Sequence, residues 1–64
     1  MNMPSVKKKI EDYINELDLE IQRLEYILLK AMAGEAYKVI AIESRIDTLV
    51  EVRNDLQSRL DEVL

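Results

Sequence analysis

Apolar residues in the first half of the chain fall at Ile10, Ile14, Leu17, Ile21, Leu24 and Leu28, closing at Ala31. The steps alternate between four and three, a seam with an average period of about 3.5 residues, which predicts an amphipathic helix made for helical neighbours. At about 100° per residue, Val6, Tyr13 and Ile27 widen one side of the seam to an arc of ~140°, broader than a two-stranded coiled coil needs. The second half repeats the design with Val39, Ile42, Ile46, Leu49, Leu56, Leu60 and Val63. Val50 and Val52 broaden it to ~160°. Each half therefore asks for company on two sides, which one hairpin cannot supply and two hairpins can.

The two seams are out of phase. Continued by sevens from Leu28, the first lands on Glu35, whereas the second begins at Val39. The only glycine, Gly34, stands between them among small residues, and glycine suits the left-handed position that ends a helix. The sequence thus predicts a single domain over residues 1–64, with helix 1 from about residue 5 to 33, a bend near Gly34 and helix 2 from about 36 to 63. Pro4 suits a first helical turn and Ser5 a cap. The competing reading is one continuous helix carrying a stutter, and it draws support from the lack of a capping residue after Gly34. Against it, interior glycine costs about 1 kcal/mol, and halves of equal length favour folding back. The expected fold class is all-α: an antiparallel two-helix hairpin that dimerises into a four-helix bundle. Its dimer core would be Ile10, Ile14, Leu17, Ile21, Leu24, Leu28, Val39, Ile42, Ile46, Leu49, Leu56 and Leu60.

Composition strengthens the need for a partner. A chain of 64 residues and 7.5 kDa buries only about 60% of its unfolded surface when compact. Small folds compensate with disulfides, metals or oligomerisation. Cysteine and histidine are both absent, so oligomerisation remains, and cofactors and metals are expected to be none. Without His or Cys, a glycine-rich phosphate loop or a Glu-x-x-His pair, no catalytic constellation is present and no enzyme is expected. The longest apolar run, Tyr26 to Leu29, is far short of the ~20 residues of a membrane span, and the N-terminus lacks a signal peptide's apolar stretch. A soluble, cytoplasmic protein with no membrane partner is expected.

The formal charge of −4, with 34% charged residues of both signs, weighs against nucleic acid as the partner. Lys7, Lys8 and Lys9 are followed at once by Glu11 and Asp12 and read as a solvated helix start. Arg53 interrupts the apolar arc of helix 2 where leucine or isoleucine would fit, making it a candidate registry residue, with Glu11 or Asp18 as its mate. The bland alternative is an arginine stem that packs while its head reaches water. Glu11, Asp18 and Glu25 repeat at sevens beside one seam, and Lys38, Arg45 and Arg59 beside the other. Such flanks pair between parallel helices, which suggests a dimer whose hairpins point in opposite directions. Leu19, Arg23 and Tyr26, on the far side of helix 1, are a candidate docking patch for another protein. Tyr37 and Ile40 are likewise misplaced for the seam.

Two equal amphipathic halves about one glycine-containing bend resemble the Rop family in layout, although no motif is shared. That resemblance implies an RNA-binding dimer of helical hairpins. The length, the opening Met1-Asn2-Met3-Pro4-Ser5-Val6-Lys7-Lys8-Lys9 and the hairpin spanning nearly the whole chain also resemble the small helical-hairpin proteins of Sulfolobus spindle-shaped viruses. This second resemblance implies a viral protein of the host cytoplasm with an adaptor role. The expected function is accordingly a non-enzymatic homodimeric adaptor bridging macromolecules through the bundle surfaces. A Rop-like RNA-binding regulator and a purely structural coiled coil are the alternatives.

Overall fold

The computed structural model describes residues 3–63, with side chains from Val6 to Val63. Among these the chain is all helical: α1 spans Met3–Gly34, a single 3₁₀ turn spans Ala36–Lys38, and α2 spans Val39–Glu62. The two long helices fold back on each other as an antiparallel hairpin. Its greatest extent is 49 Å, about the length of 32 residues at 1.5 Å each. The radius of gyration is 15.0 Å, against about 11 Å for a globule of this many residues. The hairpin is a slender rod that buries one seam.

Helix α1 runs without glycine or proline between its first and last turns, so nothing in its interior breaks the ladder. It already includes Ser5, so its start is not set there. The Ser5 side chain lies outside the described residues, and so does any cap it makes.

The bend differs from the expected one. Gly34 is the last residue of α1, and no glycine has a positive φ. The chain instead turns at Glu35, whose φ of −136° and ψ of 57° leave the helical region. Its amide still donates to the Ala31 carbonyl at 2.7 Å, and its own carbonyl accepts from the Lys38 amide at 2.8 Å. No side chain caps the new helix. The Lys38 ammonium reaches back to the Glu35 carboxylate at 2.8 Å and, by that hydrogen bond first and its charge second, holds the carboxyl below its ordinary value. A carboxyl lowered in this way contributes stability above its unfolded pKa and loses it as pH falls through the folded value. The clip is therefore a feature of neutral pH.

Because Gly34 is helical and a Cβ there would meet nothing within 4 Å, Gly34→Ala should stabilise the hairpin by about 0.5–1 kcal/mol. In a chain of this size that amounts to several degrees in Tm, about 4–8 °C per kcal/mol, readable by thermal unfolding. A destabilisation of similar size would restore the left-handed bend.

Candidate interaction faces

The inner seam is narrower than the sequence arcs. On α1 the strip Ile10, Leu17, Leu24 and Ala31 repeats at sevens, and all but Ile10 are buried, Ala31 to 2% exposure. Ile14 beside them is buried too. On α2 the matching strip is Val39, Ile46, Arg53 and Leu60, with Ile46 and Leu60 buried. Ile10, Ile21, Leu28, Val39, Ile42, Leu49 and Leu56, all expected in a dimer core, are only half-buried. Among the described residues no side chain is fully enclosed. A single hairpin thus covers one strip of each helix and leaves the flanks open.

Antiparallel geometry sorts those flanks into two faces. In a right-handed helix, residues on one rotational side of the seam lie on one face of the hairpin, and reversing the second helix brings its same rotational side to that face. Val6, Tyr13, Glu20 and Ile27 therefore share a face with Ile42, Leu49, Leu56 and Val63. Electrostatics agrees with this sorting. Glu20 is held below the ordinary carboxylate value by its hydrogen bond from Arg23, by the Arg23 charge and then by Arg45 across the seam. On this apolar face Tyr13 is 49% exposed, and Val52 and Val63 also lie open.

The opposite face is acidic. Glu11, Asp18 and Glu25 of α1 lie there beside Glu43 and Asp47 of α2. One groove on it is lined by Glu11, Ile14, Arg53 and Gln57. A second is lined by Glu25, Leu28, Glu43, Ile46 and Asp47. Arg53, at the wall of the first groove, forks onto Asp18, its Nε donating to Oδ1 at 2.8 Å and its Nη2 to Oδ2 at 3.4 Å. Side-chain exposures of 30% and 39% leave the pair half in water. It is the one ion pair between the two helices among the described residues. Of the two candidate mates, Asp18 is the partner and Glu11 lines the groove beside it.

The charge rows do not act as the sequence suggested. Glu11, Asp18 and Glu25 lie on the acidic face, while Lys38, Arg45 and Arg59 lie on or beside the apolar one. Asp18 pairs with Arg53, Lys38 with Glu35, and Arg59 with Asp55 at 3.0 Å. One member of the acidic row and two of the basic row are thus paired within the chain, and the two rows lie on opposite faces of the hairpin. The argument for oppositely directed hairpins loses its basis.

The patch around Leu19, Arg23 and Tyr26 stands on the back of α1, away from α2, with both apolar members exposed. Arg23 is turned onto Glu20, donating at 2.9 and 2.6 Å, which raises the guanidinium pKa through the same hydrogen bond. Lys30 lies over the Tyr26 ring, 4.7 Å from its centre. Arg23 and the neighbouring Lys30 are thus both engaged locally. Sequence reading missed the exposed group Leu29, Met32 and Ile40 near the bend. Its signal was present in apolar residues outside the seam, of which only Ile40 stood out.

No family model matches the chain, and no curated protein or solved structure matches it either. No helix is long and apolar enough to cross a membrane among the described residues. Among them, too, no group of three or more acidic side chains is placed to hold a metal ion.

Proposed function

We propose that this chain is a non-enzymatic interaction protein that works as a homodimer. Two hairpins bury their apolar faces against each other as a four-helix bundle and leave the outer faces free to bridge macromolecular partners. The apolar face carries this reading, with Tyr13, Ile27, Ile42, Leu49 and Leu56 in one continuous band that α1 and α2 cover only partly. Accessible surface supports it. The chain exposes 4991 Å², whereas a compact monomer of its mass exposes about 4,200 Å². The excess is close to the ~800 Å² that one partner contributes to a standard interface. Glu20 and Arg45, the charges nearest the middle of the band, have opposite signs, and Lys38 and Arg59 beside it are paired with carboxylates of their own chain.

The layout shared with spindle-shaped-virus hairpins makes a host-cytoplasm adaptor the natural setting for such a dimer. A Rop-like RNA role gains less from the structure, because Arg23, Lys38 and Arg59 are paired with carboxylates of their own chain instead of forming a basic groove.

Sedimentation equilibrium at micromolar concentration should give about twice the 7.5 kDa chain mass, and X-ray scattering a particle about 50 Å long, set by α1. A monomer mass at all concentrations would overturn the proposal. A rod approaching ~90 Å, the span of an unbroken helix of this chain, would replace the hairpin with a plain coiled coil.

A further inference from the structure

At the closed end of the acidic face, three large apolar side chains lie open: Leu29 at 67%, Met32 at 61% and Ile40 at 79% exposure. Helical spacing places them there. Met32 follows Leu28 by four residues, Leu29 follows Glu25 by four, and Ile40 precedes Glu43 by three, the spacings at which helical side chains are neighbours. Leu28 and Ile46 form the apolar part of the adjoining groove, and Glu25, Glu43 and Asp47 its rim. None of these three carboxylates makes an ion pair among the described residues. The nearby cations do not neutralise them, since Lys38 is held by Glu35 and Lys30 lies over Tyr26 on the back of α1.

We infer that this end of the acidic face docks a cationic amphipathic peptide segment of another protein, its apolar side chains resting on Leu29, Met32 and Ile40 and its lysines or arginines on Glu25, Glu43 and Asp47. Charge complementarity selects this occupant. Nucleic acid and anionic lipid would be repelled by the same carboxylates, while a neutral helix would leave them facing apolar surface without counter-charge. The groove is open and lies between α1 and α2, where a helical segment can rest its apolar side. A second copy of this chain is drawn to the other face, where the apolar band is longer and its charges are mixed. The inference rests on the interaction-protein reading and names the partner chemistry of one of its outer faces.

The test uses the full chain and a fluorescein-labelled 14-residue peptide of leucine and lysine at helical spacing, with a leucine–glutamate peptide as its counterpart. Anisotropy at low salt should show binding of the lysine peptide and none of the glutamate peptide. The triple variant Ile40→Ser, Glu43→Gln, Asp47→Asn should weaken binding tenfold or more. Glu51→Gln with Glu62→Gln, which removes charge from the outer side of α2, should change it less than twofold. No binding by the wild type, equal binding of both peptides, or equal losses in both variants would overturn the inference.

Sedimentation of the same proteins separates this inference from the homodimer. The triple variant should keep the wild-type mass. If it becomes a monomer, the second copy occupies this end and the inference falls. A monomeric wild type that still binds the lysine peptide would remove the homodimer and leave the docking surface standing.

Discussion

Leu49→Asp should dissociate the protein while Leu24→Ala unfolds it, and the contrast tests where each leucine sits. Leu24 is buried between α1 and α2, so truncation removes apolar contact and leaves a cavity, at a cost of about 2–5 kcal/mol. A 64-residue hairpin has little more than that in total, and its helical signal should collapse at every concentration. Leu49 is half-buried in the hairpin, on the band assigned to the second copy. A carboxylate there keeps access to water in the single hairpin but loses it when a second copy covers the band. An unpaired charge taken out of water in this way costs roughly 3 kcal/mol or more, a loss in dimer affinity exceeding 100-fold. Sedimentation should give the chain mass at every concentration, with the helical signal retained. If Leu49→Asp sediments as the wild type does, a second copy does not cover this band.

Why Leu49 and Leu24 differ could not be read from their spacing. Both stand on seams of the same period, and a seam fixes only that a helix is amphipathic, not how far it is rotated toward each neighbour. The two helices and the reversal between them were legible because local signals agree. The stripe has helical period, glycine and proline are confined to the ends of α1, and the phase breaks once, at the bend. The rotation of each helix about its own axis follows from packing, which brings Ile46 and Leu60 inward and leaves Ile42, Leu49 and Leu56 on a flank.

The form of the bend was hidden for a related reason. Gly34 drew attention because glycine tolerates left-handed backbone, yet the reversal needs none. Glu35 supplies it with a negative φ, a conformation that any residue adopts and that leaves no compositional mark. The charge rows show the same limit. Their sevenfold spacing is real in the sequence, but whether they can meet depends on which face each row joins once one helix is reversed. Arg53 was the exception. An arginine among isoleucines and leucines on one strip is conspicuous whatever the rotation, and its level in the hairpin restricted its mates to the carboxylates of the facing turn.

That pair gives the second large effect. Asp18→Ala should destabilise the hairpin by about 1–1.5 kcal/mol, less than a buried charged hydrogen bond commands because both groups are about a third exposed. Arg53→Leu should cost nothing or stabilise, since an isolated ion pair replaced by packed hydrocarbon is often no loss. In the Arg53→Leu background, Asp18→Ala should then be nearly silent, giving a coupling of about 1 kcal/mol in a double-mutant cycle read by urea unfolding. A coupling near zero would reduce Arg53 to a stem that packs with its head in water. The stabilised variant should also be the less specific one. Val39, Ile46 and Leu60 would then be joined by a fourth apolar residue on one strip, and nothing polar would distinguish the native hairpin pairing from a slipped or exchanged one. Sedimentation of Arg53→Leu should accordingly show species beyond the wild-type mass, and its amide spectrum more peaks than residues. A single species with one peak per residue would mean that the bend and the core alone fix the register, and that Arg53–Asp18 adds stability without choosing the fold.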